Sequence, residues 1–164
     1  MAANTPTMRE TAARAPSGAR PGDHSHRSAA PADLSTDQLL HELRDRAIAN
    51  EREALGSAIV AGTGERIRGF TFRHAQYREI AAALHEVEED GDPVTLESIW
   101  TELVERRLHW QAGGPAALAE ITNHAAWCGF ESEPMLDAAN CWVRYDAVRK
   151  KLLEAEALAR GGVE

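Results

Sequence analysis

A chain of 164 residues, 43% hydrophobic and 27% charged, has the length of one domain with a real core and is too short for two large ones. Leucine, alanine, glutamate and arginine dominate and β-branched and aromatic residues are few, a composition that favours an all-α fold. The net charge is -8, and residues 1–33 carry four arginines against three acids, so the rest holds -9. That balance argues against direct nucleic-acid binding by the ordered part, which would need Lys and Arg on phosphates, and against docking on anionic lipid.

Residues 1–33 are Ala, Pro, Gly, Ser, Thr and Arg with almost nothing large and apolar, and are expected to form a disordered tail. A helical domain is expected over 34–160 and a short tail over 161–164. Ser35 with Gln38 is a capping-box signature, opening a helix in which Leu40, Leu43 and Ala47 share a face. Asn50 with Glu53 repeats the signature, so a second helix is expected to start there and carry Leu55, Ile59 and Val60 until Gly62 and Gly64 end it. After a loop through Phe70 and Phe72, the spacing of Tyr77, Ile80, Ala81, Leu84 and Val87 predicts the next helix, stopped by Gly91-Asp92-Pro93. Thr95 caps another, with Leu96, Ile99, Trp100 and Leu103 as its apolar stripe. Leu118, Ile121 and Ala125 mark a short helix after Gly113-Gly114-Pro115, and the pattern breaks between Trp127 and Glu133. Pro134 suits the first turn of a long last helix reaching Arg160. Its face carrying Trp142, Tyr145, Val148 and Leu152 is a candidate interface.

The glycine pair could cradle a phosphate or turn a corner. A phosphate loop needs a lysine after its last glycine, and the only lysines are Lys150 and Lys151, neither of which follows one. A dinucleotide fingerprint fails as well, since no strand precedes Gly113. Backbone freedom at a tight corner is the better reading, with Pro115 preset for the helix it opens.

Neither metal nor cofactor is expected. His24 and His26 fall in the tail, and His124 with Cys128 offers two ligands where a structural zinc takes four. The two cysteines make no C-x-x-C pair, which fits a reducing compartment, and no apolar run or leader-like segment points to a membrane or to export, so a cytoplasmic protein is expected. Cys128 beside Trp127 reads as packing before it reads as a nucleophile. The run from His85 to Asp90 reads as a solvated helix end, and the four tryptophans as core or interface anchors. No catalytic residue is assigned. A helix-turn-helix over Thr95 to Ala125 has too long a link at Leu108 to Gly114, and its would-be recognition helix lacks Arg and Lys. A small DNA-binding regulator using helices 95–125 and the arginine-bearing tail is nonetheless the alternative reading.

The order of features is more specific than any single one. NEREALGSAIVAG (50–62), FRHAQYREIAAAL (72–84), GDPVTLESIWTELVERR (91–107), Gly113-Gly114 with LAEI (118–121), and AANCWVRYDAVRKKLLEAE (138–156) together resemble the N-terminal domain of the DnaB-like replicative helicases. The resemblance implies a small all-helical head that pairs with itself, forms the collar of a hexameric ring and communicates with primase. It implies framework roles for Leu55, Gly56, His74, Pro93, Leu96, Gly113 and Gly114, and a replicative helicase, primase or second copy as partner. The family's motor, with its nucleotide site, has no counterpart here, so helicase activity is not expected of this chain. In that family a further helix follows the one resembled by residues 138–156, so its pairing arm is not expected in full.

Overall fold

The computed structural model describes residues 34–128 and 133–161. The expected disordered tail over 1–33, and most of the tail over 161–164, lie outside them. The described chain is all-helical, with no strand among the described residues: α1 Thr36–Ala61, a single 3-10 turn Glu65–Ile67, α2 Ala75–Glu89, α3 Leu96–Glu105, α4 Gly114–Cys128 and α5 Pro134–Gly161.

The capping box at Ser35 forms as the sequence predicts, with Gln38 N–H donating to Ser35 Oγ at 3.3 Å and Ser35 N–H to the Gln38 side chain at 2.9 Å. The second box does not: α1 runs unbroken through Asn50, so the expected two helices are one. A capping signature acts only where the backbone leaves the helix. Here the buried face continues across Asn50 through Leu43, Ala47, Ala54, Leu55, Ala58 and Ile59, and packing on that face outweighs the local preference. Gly62 then ends α1 in the left-handed region at φ 67°, and Thr63 N–H closes the turn on the Ala58 carbonyl at 3.1 Å.

The core lies between the second half of α1 and α2, α3 and α4. Leu55, Ile67, Ile80, Leu84, Ile99 and Leu103 are fully buried, and Leu118 and Ile121 of α4 close it. Of the stripe expected on α3, Ile99 and Leu103 are buried in this core and Trp100 packs against it. Leu96 sits in the first turn, 39% exposed, and Trp100 lies half-buried on the flank. Thr95 caps α3 in a full box with Ser98.

The Gly113-Gly114 corner is a corner. Both glycines have positive φ, 82° and 78°, where a side chain is strained. Gln76 of α2 reaches across and donates its Nε2–H to the Ala112 carbonyl at 2.9 Å. A Cβ on Gly113 would sit 2.6 Å from that same nitrogen, so the tether in this position requires the glycine.

Every substantial packing of α5 on another element is with α1. The start of α5 lies by Ala54 and Ser57, while Trp142 lies by Glu51, so the two helices run antiparallel. Beyond that point the first half of α1 and the second half of α5 have chiefly each other, making a two-helix arm on the head. At 1.5 Å per residue the arm is about 22 Å long. The helix that α5 packs against is thus α1, kept whole through Asn50.

Candidate functional site

The residues that join arm to head are gathered around one side chain. Glu51 is fully buried in α1, a helical turn from Ala47 and Leu55 on the same face. Its Oε1 accepts the Arg73 N–H at 2.8 Å and the Trp142 indole N–H at 2.7 Å, and its Oε2 accepts the His74 N–H at 2.9 Å. His74 is the N-cap of α2 and offers no side-chain cap of its own. A carboxylate from another helix therefore takes the amides entering α2, where negative charge also suits the helix dipole. Three donors on one buried carboxylate offset much of its desolvation.

The clasp closes on the outside. The Arg73 guanidinium stacks 4.4 Å over the Trp142 ring and donates to both oxygens of Asp146, at 2.7 and 3.2 Å. Trp142 meets Tyr145 edge to face at 5.6 Å. The loop before α2, the middle of α1 and the third turn of α5 are thus fixed together by one acid, one cation and one indole.

The framework residues take varied places. Leu55 is in the core, and at Gly56 α4 approaches α1 closely: a Cβ there would lie 2.5 Å from the Ile121 carbonyl oxygen and 2.7 Å from the Ala125 Cβ. The ring of His74 lies against Tyr77 at 4.4 Å. The Pro93 carbonyl accepts from Ser98 Oγ at 2.7 Å at the start of α3. These positions shape the head and are not gathered into one pocket. The interface candidates Trp142, Tyr145, Val148 and Leu152 recur three or four residues apart on the side of α5 turned to α1, each half-buried, so they form the seam of the arm.

Elsewhere, Glu88 holds the turn after α1, accepting from Thr63 Oγ1 at 2.9 Å, Gly64 N–H at 3.0 Å and Arg68 at 3.4 Å. The hydrogen bonds from Thr63 and Gly64 and the Arg68 charge hold its carboxyl below the usual glutamate range. Burial raises the Tyr77 phenol above its ordinary value, against the pull of Arg52. His124 lies 3.4 Å from Arg52, which also bridges Glu120. The Cys128 side chain is outside the described residues, and Cys141 is a buried free thiol between α1 and α5. Among the described residues no three His, Cys, Asp or Glu side chains are placed to hold a metal, and no helix is long and apolar enough to cross a membrane.

Sequence reasoning passed over Glu51, Arg73 and Gln76. The signal for Glu51 was present: a glutamate at helical spacing inside an apolar face, flanked by Ala47 and Leu55 four residues either side. Compared with known proteins, the chain matches no family model, no curated protein and no solved structure.

Proposed function

We propose that the chain is a non-enzymatic protein–protein interaction module of DNA replication, acting like the helicase collar domain that its motif order resembles. It pairs with itself through the α1–α5 arm and docks on a replicative helicase or primase. The arm carries the reading. Two helices alone cannot enclose their shared seam, and Leu39, Leu40, Tyr145, Val148 and Leu152 are left half-buried while Leu34, Leu153 and Leu158 are exposed. A second arm would cover them as a four-helix bundle. The arm is also the part of the molecule where two copies meet without repulsion. Residues 36–50 carry -1 and residues 145–161 carry +1, whereas residues 51–144 carry -8.

The alternative, a duplex-binding regulator, draws less support. α4 turns Leu118, Ile121 and Ala125 into the core and exposes Glu120, an acid, where a recognition helix would carry donors. The deciding experiment measures the mass of the purified full chain by sedimentation and its capture of purified cognate helicase and primase. A dimer or larger species that retains one of them supports the proposal. A monomer that retains neither sinks it.

A further inference from the structure

Trp110 is 81% exposed, more than any other large apolar side chain among the described residues. It is not on a loose loop. Leu108 N–H bonds the Leu103 carbonyl at 2.8 Å, Ala112 N–H bonds Leu108 at 2.9 Å and Gly113 N–H bonds the Trp110 carbonyl itself at 3.1 Å. Gln76 holds the far end at Ala112. The turn is therefore a fixed mount, and a partner that covers Trp110 need not order the backbone that carries it.

Trp110 continues a strip. Its ring lies 5.2 Å from His109, which lies 5.9 Å from Trp100, and Trp100 stands between Leu96 and Val104 at i, i+4 and i+8 along α3. Leu96 and Val104 are 39% and 42% exposed. On the polar flank of the same helix is a shallow cleft of about 400 Å³ whose lining includes Asp90, Asp92, Glu97, Glu102 and Glu105. Glu97 and Glu105, which follow Leu96 and Val104 in sequence, are exposed and enter no ion pair among the described residues.

We infer that the α3 strip is a docking site for a basic amphipathic helix of a partner protein, its apolar face covering Trp110, Trp100 and Val104 and its flanking Lys or Arg facing Glu97 and Glu105. The inference rests on the reading of the chain as an interaction module and gives that reading a second surface, separate from the arm. Charge selects the occupant. An apolar strip edged by unpaired carboxylates rejects nucleic acid and an acidic helix alike, and a second copy would bring its own head of -8 against this one. Tryptophan is among the residues that most often dominate such contacts.

The test uses the full chain with two fluorescein-labelled synthetic helical peptides sharing one leucine face, flanked by lysines in one and glutamates in the other. The lysine peptide is expected to bind in fluorescence anisotropy and the glutamate peptide not. Trp110→Ala, checked for folding by circular dichroism, is expected to weaken binding about 30-fold or more, the loss of a hot-spot side chain. Glu97→Lys with Glu105→Lys is expected to reverse the preference between peptides. Equal binding by Trp110→Ala would mean only general attraction to an acidic surface, and overturns the inference. So does a Trp110→Ala chain that changes its own sedimentation while the lysine peptide fails to bind, since the strip then joins copies. Arm variants at Val148 and Leu152 are expected to leave peptide binding unchanged, so a failed strip and a failed arm give different results.

Discussion

The head and the arm are built from the same two residue classes and hold together in different ways. The head wraps a closed core in which Leu55, Ile80, Leu84, Ile99 and Leu103 lose all contact with water, and it carries -8 over residues 51–144. The arm is a two-helix pair with a seam half in water and no net charge. An apolar side chain wholly removed from water contributes roughly 1.5–3 kcal/mol, and a half-buried one correspondingly less. The head thus holds most of the buried apolar surface, and the arm is the part with apolar surface left to offer. Glu51 is where the two meet, because the amides of the head's α2 entry and the indole of the arm's α5 share its carboxylate.

The largest expected effect comes from removing that joint. Glu51→Ala leaves two backbone N–H groups and an indole N–H without their acceptor, and truncating one partner of a buried hydrogen-bonded set costs the desolvation of the groups left behind. A loss of about 3 kcal/mol or more is expected in urea unfolding followed by circular dichroism. Its distinguishing mark is the loss of hydrogen-exchange protection in both regions at once. If Glu51→Ala lowers protection in α5 alone, the joint is not shared and the comparison of regions must be redrawn.

Next in size is a change confined to the head. Gly56→Val puts a branched side chain where even a Cβ would lie 2.5 Å from the Ile121 carbonyl, so α4 must move off α1. Overpacking of this kind costs roughly 1–3 kcal/mol, and here the obstacle is backbone and cannot swing aside. The expected result is a lower urea midpoint with self-association retained, because the arm does not touch Gly56. Unchanged stability would mean that α4 does not approach α1 as described.

A smaller effect is expected in the arm. Leu152→Ala removes a half-buried side chain from a seam already open to water, a cost of about 1 kcal/mol, against 2–5 kcal/mol for the same truncation of fully buried Leu84. Its consequence for assembly is larger than for folding: paired with Val148→Ala it is expected to shift the sedimenting species towards monomer. A chain that loses stability at Leu152 as steeply as at Leu84 would show that the arm belongs to the core.

These contrasts were only partly legible in the sequence. The boxes at Ser35 and Thr95 and the stop at Gly62 could be read because capping couples residues three or four apart. Asn50 misled for the same reason: its local signature is sound, and only the continued burial of Ala54, Leu55 and Ala58 decides against it. Glu51, Gln76 and Glu88 could not be read as joints, since their partners lie between 20 and 91 residues away along the chain. The four tryptophans were alike as letters. Only packing separates Trp142, set in the clasp, from Trp110, set in the open.

The smallest expected effect is a pH dependence held within the head. The Glu88 carboxyl is kept below its ordinary value by hydrogen bonds from Thr63 and Gly64 and by Arg68, so the unfolded chain binds this proton more readily than the folded one. Its stabilisation of the turn after α1 is therefore complete above the ordinary glutamate pKa and is lost as pH falls through the lower folded value. Glu88→Gln, which keeps the shape but not the charge, is expected to flatten the acid limb of the midpoint-versus-pH curve in urea unfolding while leaving the neutral region nearly parallel to wild type. Equal acid slopes in the two proteins would place the acid sensitivity elsewhere. Because Lys150–Glu154 and Arg160–Glu156 in the arm are exposed pairs of the kind worth little, a slope that follows Glu88 would put acid sensitivity in the head, leaving the arm's pairing governed by its apolar seam.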